Sequence, residues 1–314
     1  MPFNPLEYPL SLMEPILISD ASAWIGHIPF AFTLVQMMRP QSIVELGTHK
    51  GDSYLAFCQA VANLNLPTQC AAIDTWLGDR HSGTYGEQVF AELRAAHDPR
   101  YLGFSKLIRS TFDQAAGMFA DGSIDLLHID GLHSYDAARH DFETWLPKMS
   151  PRGVVLLHDT AVRADGFGVW RLWDEVTPGR PHFAFEHSFG LGVLAVGAAL
   201  PDALARFFSD AQENPALIRN YFARLGESLV QTRYRQALCW WLARQQNLLN
   251  NWKLRTGQSV DQISANLNAA MTDGVAFAAR LTTQIDAALV EDIRLRQQLQ
   301  QPAGGAAPKA QSGQ

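Results

Sequence analysis

The sequence predicts an α/β protein with a doubly wound, mostly parallel seven-stranded sheet and a C-terminal helical, partly coiled-coil-like extension. Three observations predict it. Between residues 41 and 198 short apolar runs alternate with amphipathic helical stretches, the order that builds βαβ units. The last two apolar runs flank a turn near Gly190, which reads as an antiparallel hairpin closing the sheet. Beyond Pro201 the apolar residues change to a spacing of three and four, the period of helices that bury one stripe.

Each element follows from its own residues. "DASAWIGHIPFAFTLVQMMR" (20–39) predicts a helix stopped by Pro40. "SIVEL" and "QCAAID" predict strands, each followed by a helix, "GDSYLAFCQAVANL" and "YGEQVFAELRAAH". "SKLIRS", "IDLLHID" and "GVVLLHD" continue the strands, with "FDQAAGMF", "SYDAARHDFETWL" and "GVWRLWDEV" as their helices. "HFAFEH" and "GLGVLAVG" form the hairpin. Leu217, Ile218, Tyr221, Phe222 and Leu225 mark a first helical stripe after Pro201. Past a break at "GQS" (257–259), Val260, Ile263, Leu267, Met271, Ala278, Leu281, Ile285 and Leu289 mark a second, interrupted by Gly274. That stripe fits either a helical hairpin packed on its own domain or self-association into a homo-oligomer. The organisation expected is an N-terminal segment and helix (1–40), the sheet domain (41–198), the helical extension (199–300) and a disordered tail (301–314).

Composition narrows the function. The chain of 314 residues is 47 % hydrophobic and 18 % charged, ordinary for a globular protein, with a net charge of −6. That balance offers no basic excess for nucleic acid. Three cysteines without CxxC spacing suggest neither a disulfide framework nor a zinc site, and fit a reducing cytoplasm. No signal peptide and no membrane span are expected.

The first strand runs into "VELGTHKGDS", a turn that opens a helix. Gly47 and Gly51 permit a sharp turn and a close approach, with Thr48, His49 and Lys50 between them. The spacing is not G-x-G-x-x-G, and Glu45 two residues before Gly47 would repel a pyrophosphate. Asp74 ends the second strand, where open α/β sheets place the carboxylate that accepts ribose hydroxyls. Glu45, Gly47, Gly51 and Asp74 together point to a positively charged adenosine ligand without phosphate, for which S-adenosyl-L-methionine is the candidate.

Residues 41–198 then resemble a class I S-adenosylmethionine-dependent methyltransferase, with the Rossmann-like fold of that group. "IVELGTHKGDS" is similar to the first motif of the catechol-type and macrolide-sugar O-methyltransferases. The run "AWIGHIPFAF…HIDGLHSYDAARHDFETWLPKMSPRGVVLLHDT…FGVWRLWDE" resembles a bacterial branch found with glycan-modifying enzymes. The resemblance implies cofactor contacts at Glu45, Gly47, Thr48, His49, Gly51, Ser53, Asp74 and Asp130, adenine contacts at Ser110 and Thr111, and an N-terminal helix over the cofactor, whose Trp24 and His27 either cover the site or pack the helix. The region past residue 200 lies outside it.

The chemistry concentrates at two strand ends, "IDLLHIDGLH" and "GVVLLHDT". Parallel neighbours lie about 4.8 Å apart, so Asp130 and Asp159 converge in the ligand crevice. Two such acids call for a cation or a shared proton between them. Oxygen donors suit Mg²⁺, and His158 beside Asp159 shifts the expected set (Asp130, Asp159, His158) toward Mn²⁺. The resemblance implies a general base three residues after the first acid, which is His133. His140 reads as a surface residue, and Arg163 with Trp170 and Trp173 as either acceptor-lining or core-packing residues. The expected activity is methyl transfer to a hydroxyl of a sugar, a glycan or a small metabolite, with catalysis by Asp130, His133 and Asp159. The alternatives are a relative with other chemistry, such as hydroxylation, and a non-catalytic scaffold that works through its helical tail.

Overall fold

The computed structural model describes residues 3–19, 23–79, 83–164 and 166–256, and further on 265, 268–274 and 276. Seven strands form the main sheet: β1 (Ser42–Leu46), β2 (Gln69–Asp74), β3 (Ser105–Arg109), β4 (Ile124–Ile129), β5 (Met149–His158), β6 (His182–Phe185) and β7 (Leu191–Ala195). Their spatial order is β3-β2-β1-β4-β5-β7-β6. All pairings from β3 to β5 are parallel, and β7 is antiparallel to both β5 and β6. This is the doubly wound, mostly parallel seven-stranded sheet expected from the sequence. The chain reverses direction across the sheet at β1 and β4, so the crevice where such folds bind ligands opens at the ends of these strands.

The helices are α1 (Ile28–Met38), α2 (Asp52–Asn63), α3 (Glu87–Tyr101), α4 (Phe112–Ala116), α5 (Tyr135–Trp145), α6 (Val169–Val176), α7 (Asp202–Glu213) and α8 (Pro215–Thr256). Where residues 20–39 predict one helix, a short 3-10 turn (Ile25–His27) precedes α1. Arg39 at φ 43° then ends α1 before Pro40, because a proline disfavours helical geometry in the residue before it. The helix α3 runs past its expected end and contains Pro99. Strand β5 starts at Met149, earlier than "GVVLLHD" suggests.

Alternation along the strands divides the core. Ile43, Leu126 and Val154 face a layer with Phe30, Tyr54, Phe57, Phe207 and Phe222. Val44, Leu127 and Val155 face the opposite layer with Phe142, Trp145 and Leu172. Trp173 is buried in that second layer, and a Cβ on Gly192 would lie 2.3 Å from its ring. It therefore packs the core and does not line an acceptor site.

The chain divides into two compact units, Met1–Tyr234 and Arg235–Gln314. In the second unit a Cβ on Gly274 would lie 2.2 Å from the ring of Trp241 on α8, so Gly274 lies against that helix. The rest of the expected 260–289 stripe and the 301–314 tail lie outside the described residues. Among those described, no helix is long and apolar enough to cross a membrane.

Candidate active site

The C-terminal ends of β1, β2, β4 and β5 surround a cavity of about 820 Å³. One wall is the loop 47–53. Gly47 and Gly51 both adopt left-handed backbone, with φ 86° and 87°. The structure gives each a second reason to be glycine. A Cβ on Gly47 would lie 2.1 Å from the Asp130 carbonyl oxygen, and one on Gly51 would lie 2.5 Å from Leu93. The close approach read from the sequence is thus to the protein's own chain.

Asp74 is the latch of this loop. Its Oδ2 accepts from the backbone N–H of Thr48 and of His49, both at 2.9 Å, and its Oδ1 accepts from Trp76 N–H at 2.7 Å. A carboxylate has roughly four acceptor positions, so about one remains for a ligand hydroxyl. His49 itself sits at φ 48°, and its carbonyl accepts from the Trp76 indole at 3.0 Å. Thr48 Oγ1 is buried on this wall with no hydrogen-bond partner. Ser53 and Thr111 also line the cavity. Thr111 spends its hydroxyl on Gln114 N–H as the cap of α4, and Ser110 is not among the lining residues.

Glu45 lies behind the wall rather than on it. Its side chain and that of His128 are fully buried, with His128 Nδ1 2.8 Å from Glu45 Oε2. Burial raises the Glu45 pKa, which the hydrogen bond from His128 opposes. Glu45 Oε1 meets no donor at hydrogen-bonding geometry, although Ser53 is near enough to favour the anion.

The opposite wall carries the acids. His133 Nδ1 lies 3.0 Å from Asp159 Oδ2. The His133 ring stacks on Phe167, with centroids 5.0 Å apart and planes 5° from parallel. His158 Nδ1 lies 3.3 Å from an oxygen of Asp130 and 3.3 Å from Asp159 Oδ2. Its Nε2 faces the Ser188 carbonyl at 3.1 Å and must donate there, because a carbonyl only accepts. With carboxylates at Nδ1 as well, both ring nitrogens of His158 act as donors. Burial opposes the charge on His158, but Asp130 and Asp159 outweigh it and hold its pKa well above the ordinary imidazole range. Burial likewise works against both carboxylates, and His158 nevertheless holds each below its usual range. For His133, burial is outweighed by the bond to Asp159, and its pKa is raised.

Among the described residues one group can hold a metal ion: Asp130, His133 and Asp159 each offer an atom, all within 4.8 Å of one another. Two carboxylates and an imidazole fit a hard or borderline divalent cation. The sequence set of Asp130, Asp159 and His158 differs by one residue. The reason is geometric: both nitrogens of His158 are spent, one on Ser188 and one between the acids.

Two lining residues carry no sequence signal. Phe167 and Phe189 line the cavity, and Phe189 is 55 % exposed in left-handed backbone. Arg163 and Trp170 pack on each other at 4.7 Å and are not lining residues, while Val162 and Ala164 are. Trp24 lines the cavity, and His27 is fully buried beneath the Ser188 turn. His140 is on the surface, paired with Asp113 at 2.7 Å.

Residues 44–160 match the family model of a methyltransferase domain. An uncharacterized protein of Sinorhizobium fredii, y4gI, is 47 % identical over 229 residues, which are 72 % of this chain and 25 % of that one. The chain thus spans a quarter of the length of this curated relative. A candidate caffeoyl-CoA O-methyltransferase from Staphylococcus aureus is similar in structure at 15 % identity, with a TM-score of 0.44 over 62 % of this chain and 90 % of that one. So is the S-adenosylhomocysteine-bound Podospora anserina methyltransferase PaMTH1, at 16 % identity and a TM-score of 0.41 over 54 % and 77 %.

Proposed function

We propose that this methyltransferase domain uses S-adenosyl-L-methionine to methylate a hydroxyl group on a sugar, a glycan or another small metabolite in the cytoplasm. The observation that carries the reading is one cavity with two unlike walls: a latched glycine loop with an unpartnered Thr48 hydroxyl on one side, and the Asp130–His133–Asp159 cluster on the other. The cofactor supplies a methyl group made electrophilic by its sulfonium. Asp74 and the 47–53 loop hold its nucleoside and amino-acid parts, with Ser53, Thr111 and Asp130 beside them.

With His158 charged and His133 neutral, Asp130 and Asp159 leave the cluster with net negative charge. A divalent cation, Mg²⁺ or Mn²⁺, is proposed on Asp130 and Asp159, where it would polarise the acceptor hydroxyl and lower its pKa. His133 takes the hydroxyl proton on Nε2 while Nδ1–H stays on Asp159, which fixes the tautomer and favours the imidazolium that forms. The oxygen so deprotonated would receive the methyl group, and His133 would then pass its proton to water.

The test is calorimetry with S-adenosylhomocysteine, followed by transfer assays on hydroxyl acceptors with and without chelator. Binding with metal-dependent transfer supports the reading. Binding with transfer indifferent to chelator removes the metal, and no binding removes the cofactor.

A further inference from the structure

The wall beside the glycine loop contains a buried polar line that the chemistry above does not use. Trp24 Nε1 lies 3.1 Å from His128 Nε2, and His128 Nδ1 lies 2.8 Å from Glu45 Oε2. An indole N–H only donates, so His128 Nε2 must accept and the proton must sit on Nδ1. That proton goes to Glu45, which can then only accept. Each member therefore fixes the direction of the next.

The sheet dictates the placement. Glu45 and His128 are register partners on β1 and β4, so their side chains leave the same face of neighbouring strands. Each strand enters the cavity loop within two residues, at Gly47 and at Asp130. Trp24 comes from the N-terminal segment, far away in sequence. Its ring packs edge-on to Phe57 and to His128, and it also lines the cavity. An apolar pair of similar volume would fill the space of Glu45 and His128 at no desolvation cost, so stability alone gives no reason for ionisable groups here. What the line adds is direction: it allows the indole one orientation against the cavity.

We infer that His128 is a positioning residue, which together with Glu45 fixes the orientation of the Trp24 indole against the cofactor cavity. This rests on the S-adenosylmethionine reading.

The experiment is a double-mutant cycle on the full chain, read by calorimetric affinity for S-adenosylhomocysteine. Trp24→Phe keeps a ring but loses the N–H, and should weaken binding about fivefold, the worth of one lost hydrogen bond. His128→Leu should weaken it at least as much. The double variant should bind no worse than His128→Leu alone, because His128 acts through that N–H. His128→Gln supplies both an acceptor and a donor and should restore affinity to within about threefold of the wild type. Should His128→Leu not fold, Trp24→Phe and His128→Gln decide: the first must weaken binding and the second must not. A line that serves stability only would lower the melting temperature of these variants and leave their affinities at the wild-type value. That outcome, or additive losses in the cycle, overturns the inference while the cofactor reading stands. A wild type that does not bind S-adenosylhomocysteine overturns both.

Discussion

Replacing Asp74 tests how the glycine loop is held. The carboxylate accepts three backbone N–H groups, from Thr48, His49 and Trp76. In Asp74→Ala all three lose their acceptor. Thr48 and Trp76 are buried, and an unsatisfied buried donor costs about 1–3 kcal/mol, so these two predict a loss of about 2–6 kcal/mol in folding stability. The partly exposed His49 amide regains water and adds little. Cofactor affinity should fall by a further ~1.5–3 kcal/mol for the charge-assisted bonds to the ribose. Asp74→Asn should lie between, since its carbonyl can still serve Thr48 and His49 while its amide faces the Trp76 donor. Urea unfolding followed by S-adenosylhomocysteine calorimetry measures both quantities. If Asp74→Ala kept wild-type stability and affinity, Asp74 would be neither latch nor ribose acceptor, and the construction of this wall would be wrong.

Further outcomes follow from the opposite wall and the second unit. His133→Ala should retain cofactor binding and lose ~10²–10⁴-fold in turnover under chemistry-limited conditions; near-normal turnover would place the base elsewhere. Wild-type turnover should fall with decreasing pH as His133 takes up its proton, with a midpoint above the ordinary imidazole value, because burial is outweighed by the bond to Asp159. A midpoint below that value would contradict the His133–Asp159 pairing. Asp159→Ala should abolish metal-stimulated transfer and spare S-adenosylhomocysteine binding, as checked by calorimetry alongside the assay. Met271, on the stripe expected over 260–289, is exposed, and we propose that this stripe mediates self-association. Light scattering should then find an oligomer for the full chain and a monomer for a chain ended before Ser259; two monomers would refute this.

The sheet was legible because its cues are local: each strand is a short apolar run, and each is followed by a helical period. Asp130 and Asp159 were legible for a related reason, since a parallel sheet brings the ends of adjacent strands together whatever their separation in sequence. His158 was not. Its role depends on the Ser188 carbonyl, which a hairpin turn with left-handed Ser188, Phe189 and Gly190 brings back to the site. Asp74 was placed at the site from its strand end, but its three amide partners depend on how the 47–53 loop and Trp76 fold around it. Glu45 looked like a ligand contact because a motif gives position along a strand and not depth, and His128 and Trp24 enclose it. Gly47 shows the same limit, for the neighbour that requires glycine there is the backbone of Asp130, on another strand.

The cavity between the 47–53 loop and the Asp130–His133–Asp159 cluster is proposed to bind S-adenosyl-L-methionine. Titrating the wild-type chain with S-adenosylhomocysteine in a calorimeter, with NAD as the comparison, tests it most directly. Saturable one-to-one binding of S-adenosylhomocysteine and none of NAD is expected; no heat with S-adenosylhomocysteine, or tight NAD binding in its place, would rule the cofactor out.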